Sequence, residues 1–171
     1  MLTGIEQYHW EKAGYFIRRS LFDANAIRSW DPSDELVLES VGALIADLLG
    51  GPCDLVEAAA DSHPSASWRR AEGGAYSAGS ATLARQPEGV VVRIAVAPDE
   101  GLQVLPGSHV SPLSTAEMKQ LGEDPAAGLS GGIRIRLAAG DTLFYSTGLL
   151  AMAQPQTERN AREVRFRKQR G

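Results

Sequence analysis

The spacing of hydrophobic residues predicts helices in the first third of the chain. Between residues 36 and 49, apolar side chains recur every three or four positions, as in an amphipathic helix, and Gly50-Gly51-Pro52 is expected to end it. Thr3 and Glu6 have the spacing of a capping box, which predicts a shorter helix that ends at Gly14. Two further elements are expected between these helices, a strand within 15–22 and a short helix over 24–30.

After residue 52 the pattern changes to short apolar or alternating runs separated by Gly, Pro, Asp and Ser, which predicts strands and turns. Residues 133–137 alternate apolar residues with arginines, so this strand should have one solvated face. Gly140-Asp141 predicts a turn, and residues 149–152 are interpreted as a loop. Residues 61–89 lack clear periodicity and are expected to cover a site as a long loop. Strands are expected in the runs 54–60, 89–97, 102–107, 132–146 and 161–167.

Helices followed by many short strands indicate an α+β fold whose strands form a sandwich or a barrel. The 171 residues suit one domain over 1–171.

Composition excludes several classes of protein. The formal charge of −4 argues against nucleic acid as a partner, and a single cysteine, Cys53, excludes an internal disulfide. Glu39 and Asp47 interrupt the longest apolar run, so no membrane span is expected, and the first residues lack the pattern of a signal peptide. These features predict a cytoplasmic protein. The basic residues crowded into 159–170 are interpreted as a solvated strand edge with a frayed tail, and binding of an anionic ligand or a partner is the alternative.

The string LQVLPGSHVSPLS, residues 102–114, is the most specific motif in the chain. Together with the runs GVVVRIAVA before it and AAGDTLFYSTGLLAMAQPQTERNAR after it, it resembles the phytanoyl-CoA dioxygenase family. The N-terminal GYFIRRSLFDANAI is similar to the opening of that family. The resemblance implies a double-stranded β-helix, a cupin-like jelly roll whose mouth binds iron(II) and 2-oxoglutarate. It implies a helical part over 1–50 packed on the sheet, a barrel over 52–167 and a tail over 168–171.

The family's site residues carry over only in part. The resemblance implies a His-x-Asp pair early in the barrel, a second histidine after the GD turn, and an arginine eleven residues later that binds the carboxylate of the cosubstrate. Arg162 matches that arginine and is the expected cofactor-binding residue, but Ala151 stands in place of the second histidine. In SWRRAEG, Arg69 and Ala71 fill the positions of the pair; in the alternative alignment, on AYSAG, Tyr76 and Ala78 fill them.

The resemblance therefore implies a protein that has lost its metal site, since no His-x-Asp or His-x-Glu occurs in the chain. No metal ligands and no resident cofactor are expected. Iron(II) is not expected to bind, and 2-oxoglutarate remains a candidate ligand of Arg162. The predicted function is binding of a small, carboxylate-bearing molecule, with a non-oxidative step in small-molecule or natural-product metabolism left open. Arg69, Tyr76 and Tyr145 are the predicted substrate-binding residues, and Arg70 could add charge at the mouth.

Two other functions stay open. The first is an active iron oxygenase with displaced ligands, drawn from His63, His109, Glu72 and Asp99. The second is a non-catalytic binding protein or partner subunit. A homodimer formed through an exposed sheet edge is compatible with each of these functions.

Overall fold

A computed structural model describes residues 1–30, 35–59, 66–71, 77–78, 88–153 and 160–169. It contains helices and antiparallel sheets, so the α+β class is confirmed. The helices are α1 (Gly4–Ala13), α2 (Glu35–Leu49) and α3 (Thr115–Glu123), with one 3-10 turn at Ala26–Ser29. The strands are β1 (Tyr15–Arg18), β2 (Cys53–Ala59), β3 (Arg69–Arg70), β4 (Ser77–Ala78), β5 (Gly89–Ala95), β6 (Asp99–Leu105), β7 (Ile133–Leu137), β8 (Thr142–Ser146), β9 (Leu150–Ala153) and β10 (Ala161–Lys168).

The strands form two five-stranded sheets. The first sheet has the order β1-β8-β5-β10-β2 and the second has the order β4-β3-β9-β6-β7. Among the described residues the sheets are separate, and no closed barrel is seen. β10 lies between β5 and β2, so the interpretation of the basic C-terminal run as a solvated strand edge is wrong. Arg165 in this strand is only 4% exposed, because neighbouring strands flank it on both sides.

The two sheets pack face to face through an apolar interior layer. The residues of this interior layer come from both sheets: Ala71, Val91, Ala95, Leu102, Val104, Ile135, Leu137, Leu143, Tyr145, Leu149 and Ala151. The opposite face of the first sheet is covered by α1, α2 and the 3-10 turn, through residues such as Trp10, Ile27, Val41 and Ile45. The outer face of the second sheet packs on Trp68, Leu113 and Leu129. None of the helices in the described ranges has the length and apolar character needed to cross a bilayer.

The start of the chain folds as its capping signals predict. Thr3 and Glu6 form the reciprocal bonds of a capping box, and Gly14 ends α1 in the left-handed region with φ of 83°. The helix end contacts the turn after β6, because a Cβ on Gly14 would lie 2.5 Å from Nδ1 of His109. This contact joins the helical part of the chain to the PGSH turn.

Three parts of the chain differ from the sequence prediction. Residues 61–89 were expected to form a long loop, but Arg69–Arg70 and Ser77–Ala78 within this range are strands β3 and β4. Residues 149–152 were expected to form a loop, but Leu150–Ala153 is strand β9. Its side chains do not alternate in polarity, since Ala151 enters the interior layer while Leu150 and Met152 pack on the outer face of the second sheet. Helix α3 was not predicted, although Ser114 and Glu117 form a capping box at its start.

Candidate functional site between the two sheets

The pairing of β3 with β9 creates the centre of the candidate site. Arg69 is the direct cross-strand partner of Ala151, so their side chains leave the sheet on the same side. Ala71 and Ala151 both belong to the interior layer, which places this face toward the first sheet. Arg69, Ala71 and Ala151 therefore come together between the sheets. In the alignment on SWRRAEG, one of the two that the resemblance allows, these are the positions of the three iron ligands.

These three side chains do not fit an iron ion. Iron(II) in such sites is bound by two imidazoles and a carboxylate, whereas positions 69, 71 and 151 offer a guanidinium and two methyl groups. A guanidinium stays protonated and repels a cation. No group of three or more His, Cys, Asp or Glu within the described ranges is placed to hold a metal ion.

The neighbouring arginines of β3 have different environments. Arg69 is half-buried and donates from Nε to Oγ of Ser67 at 3.0 Å. Arg70 is 1% exposed and donates from one terminal nitrogen to the carbonyl oxygens of Ser108, at 2.7 Å, and Gly148. The expectation that Arg70 adds charge at the mouth is wrong, because its guanidinium joins two turns inside the protein.

A cluster of charged side chains lies in the interior layer beside the apolar residues. Arg93 of β5 donates to both oxygens of Asp99, from Nε at 2.7 Å and from a terminal nitrogen at 3.2 Å. Its other terminal nitrogen donates to Oε1 of Glu163 at 2.8 Å. The hydroxyl of Tyr145 donates to the same Glu163 oxygen at 3.2 Å. We call Arg93, Asp99, Tyr145 and Glu163 the interior network.

The electrostatics of this network keep Arg93 charged. Burial disfavours the charged guanidinium, but the negative charges and hydrogen bonds of Glu163 and Asp99 outweigh it and raise the pKa of Arg93. Sequence reasoning missed Arg93 and Glu163 as site residues. The available signal was a lone arginine inside the buried run GVVVRIAVA, because a charge at such a position requires a partner.

The predicted site residues are brought together only in part. Tyr145 faces the interior layer, as Arg69 does. Arg162 is the cross-strand partner of Ile94 and so lies on the face of the first sheet that packs against the helices. The interior face of β10 carries Glu163 and Arg165 instead, since they pair with Arg93 and Val91. Tyr76 lies outside the described residues, and its predicted role stays a prediction.

The residues of the displaced-ligand alternative are also separated. Asp99 begins β6, which is about 20 Å long, and His109 follows the turn at the other end of this strand. His109 packs on the end of α1, and its burial lowers the pKa of the imidazole. His63 and Glu72 lie outside the described residues.

Asp141 has the structural role that its place in a turn predicts. Its carboxylate accepts from the backbone N–H of Ser20 and of Ala138, and from the guanidinium of Arg19 at 2.6 Å. Burial alone would raise the pKa of Asp141, but these donors hold it below its usual range. The carboxylate is therefore fixed as the anchor between the turn before β8 and the segment after β1.

Comparison with known proteins identifies the fold. No family model matches the sequence, and no curated protein matches it either. Among solved structures, HygX from Streptomyces hygroscopicus with iron bound is 14% identical, with 98% of this chain and 87% of that chain covered and a TM-score of 0.69. HygX with nickel, 2-oxoglutarate and hygromycin B bound is 16% identical, with 98% and 88% covered and a TM-score of 0.63.

A second protein gives the same result. The epimerase SnoN in complex with Fe3+, alpha-ketoglutarate and nogalamycin RO is 15% identical, with 96% of this chain and 82% of that chain covered and a TM-score of 0.62. At these identities the likeness is one of fold. The chain thus shares the fold of enzymes that bind iron and 2-oxoglutarate.

Proposed function

We propose that this chain is a metal-free protein on the jelly-roll fold of the phytanoyl-CoA dioxygenase-like enzymes, and that it binds a small molecule with a carboxylate. The observation that carries the proposal is the direct pairing of Arg69 with Ala151, beside Ala71. If the alignment on SWRRAEG holds, all three iron ligands have been replaced by side chains that cannot coordinate a metal.

Arg69 supplies a reason to expect an anionic ligand. Its guanidinium puts a positive charge near the place that the resemblance gives to the metal, and a guanidinium binds a carboxylate through two parallel hydrogen bonds. Ser67 accepts a hydrogen bond from Nε of Arg69 and not from its terminal nitrogens. Within the described ranges no other side chain accepts from its terminal nitrogens, so they are available to a carboxylate.

Tyr145 and Tyr76 are proposed to contact the rest of the ligand. Tyr145 faces the interior layer, as Arg69 does, so its ring is the part proposed to contact the ligand. Binding of 2-oxoglutarate by Arg162 stays a prediction. Arg162 lies on the helix-facing side of β10, across the first sheet from Arg69, so Arg69 is the residue proposed to bind the carboxylate at this site. The solved structures with hygromycin B and with nogalamycin RO support a natural product as the class of ligand.

Any reaction at this site is proposed to be non-oxidative. Oxygen activation in this fold needs a metal, and positions 69, 71 and 151 provide no donor for one. A non-oxidative reaction would use side chains for proton transfer. We therefore place binding at the centre of the proposal and treat turnover as an additional step.

Thermal unfolding with a simple dicarboxylate tests the proposal. We expect 2-oxoglutarate or succinate at millimolar concentration to raise the melting temperature of the wild-type chain, since a ligand of the native state stabilises it. Arg69→Ala should abolish the shift, whereas Arg136→Ala, at an exposed arginine of β7, should keep it. If Arg162→Ala is the only variant that loses the shift, the carboxylate binds at Arg162, and the assignment of carboxylate binding to Arg69 is wrong.

A further inference from the structure

The carboxylate of Glu163 is bound by the protein in the way that the carboxylate of a small ligand would be. Two donors from different strands converge on its Oε1, the Arg93 guanidinium at 2.8 Å and the Tyr145 hydroxyl at 3.2 Å. Glu163 and Arg93 are direct cross-strand partners on β10 and β5. We call Arg93 and Tyr145, as arranged around this oxygen, the carboxylate cradle.

The cradle does not depend on Glu163 for its shape. Asp99 fixes the orientation of Arg93 by accepting from Nε and from one terminal nitrogen, so the third nitrogen stays aimed at the position of Oε1. Tyr145 is 1% exposed and lies in the well-packed interior layer, which restricts its ring. Both donors are attached to internal strands of the first sheet, β5 and β8.

We propose that Glu163 occupies, from within the chain, a binding site for a small free carboxylate formed by Arg93 and Tyr145. In the native protein this site is filled, so an external acid has to bind elsewhere. Removal of the Glu163 side chain leaves a guanidinium and a hydroxyl that have lost the carboxylate they share, next to a gap of matching size. This inference is independent of the role proposed for Arg69.

The size of the removed fragment defines the ligand. Glu163→Ala keeps Cβ and deletes one methylene and the carboxylate, which corresponds to acetate. Glu163→Gly also deletes Cβ, which corresponds to propionate. Glu163→Gln is the matched control, because its amide fills the same volume and leaves no room for an added acid.

Thermal unfolding in sodium acetate, against sodium chloride at equal ionic strength, tests the inference. We expect Glu163→Ala to melt roughly 10 °C below the wild type in chloride, because one partner of a buried ion pair is lost. Acetate at ten times its dissociation constant should raise that melting temperature by about 3 to 5 °C. The wild type and Glu163→Gln should show no acetate-specific shift, and Glu163→Gly should respond more strongly to propionate than to acetate.

Equal responses of all four proteins to acetate would overturn the inference, and so would a Glu163→Ala protein that does not distinguish acetate from chloride. If Glu163→Ala does not fold in chloride, the yield of folded protein after dilution from urea replaces the melting temperature. Acetate should then increase the yield for Glu163→Ala and leave it unchanged for Glu163→Gln. An unchanged yield for Glu163→Ala contradicts the proposal.

Discussion

Arg69 and Ala151 face each other directly across β3 and β9, with Ala71 in the same interior layer. If these are the positions of three lost iron ligands, the backbone already has the geometry of a metal site. The combined variant Arg69→His, Ala71→Asp and Ala151→His should then bind a divalent metal such as cobalt(II), giving the absorption bands of a bound ion. A metal present at 100 times its dissociation constant should stabilise this variant by about 2.7 kcal/mol.

The control for this variant leaves one position unrestored. The double variant Ala71→Asp and Ala151→His keeps Arg69, whose charge opposes a metal ion, and should bind cobalt(II) far more weakly. Equal cobalt(II) binding by the double and the triple variant would show that position 69 is not part of a metal site.

Arg70→Met should destabilise the protein strongly. The substitution keeps an unbranched side chain but removes the guanidinium that joins the carbonyls of Ser108 and Gly148. Two buried acceptors lose a charged donor, so we expect the free energy of unfolding in urea to fall by about 2 to 4 kcal/mol. Arg69→Met, at the half-buried neighbouring position, should cost about 1 kcal/mol or less. Similar losses for both variants would contradict the roles assigned to them.

Gly14→Ala should weaken the contact between α1 and the PGSH turn. Gly14 has φ of 83°, and a Cβ there would lie 2.5 Å from Nδ1 of His109. We expect a loss of about 2 to 4 kcal/mol in urea unfolding, from the left-handed backbone and the clash together. Gly42→Ala in α2, where nothing lies within 4 Å of the new Cβ, should instead gain up to about 1 kcal/mol.

A double-mutant cycle separates the two causes. In a His109→Ala background the ring is absent, so Gly14→Ala should cost less than it does in the wild type. If Gly14→Ala costs the same stability in both backgrounds, the loss comes from the backbone conformation alone, and the clash with His109 contributes nothing.

Glu6 should make the stability of the protein sensitive to acid. Its carboxylate is 15% exposed and bonds Arg18 at 2.7 Å. The hydrogen bond from Arg18 is the main reason that the pKa of Glu6 falls from 4.5 to about 2, and burial opposes it. Because the folded-state pKa is below the unfolded one, the stabilisation is complete above pH 4.5 and is lost as the pH falls toward 2.

Urea unfolding between pH 7 and pH 2 measures this dependence. Glu6→Gln should be less stable than the wild type by about 1 to 2 kcal/mol at neutral pH, after allowance for solvent screening, and the difference should vanish near the low end. Glu123→Gln, on the exposed face of α3, should follow the wild-type curve. A difference between Glu6→Gln and wild type that does not change with pH would refute the ion pair as its cause.

The sequence predicts the elements whose signals are local. Thr3, Glu6 and Gly14 specify α1 from within a few residues, and both ends are where the pattern places them. The strand β9 is different, because Leu150 and Ala151 are buried on opposite faces and no alternation marks them as a strand. Its identity depends on partners in β3 and β6 that are distant in the chain.

The candidate site is predictable to a smaller extent. Arg69 and Ala71 were identified through a resemblance, and only the strand register shows that Arg69 lies opposite Ala151. Arg93 has two carboxylate partners, Asp99 six residues away and Glu163 70 residues away. A lone arginine in a buried strand indicates that an ion pair is present, but it does not identify the distant partner. The side of the sheet on which Arg162 lies is also known only from its pairing with Ile94. Alternation along the strand shows which residues share a side, but not which side faces the interior layer.

The central claim is that positions 69, 71 and 151 of the native chain form no metal site. Anaerobic calorimetric titration of the wild-type protein with iron(II), with and without 2-oxoglutarate, tests it most directly, and the triple variant with restored ligands is the positive control. The account predicts no iron(II) binding at micromolar concentrations by the wild type. One equivalent of iron(II) bound in that range, with Arg69, Ala71 and Ala151 all in place, would contradict it.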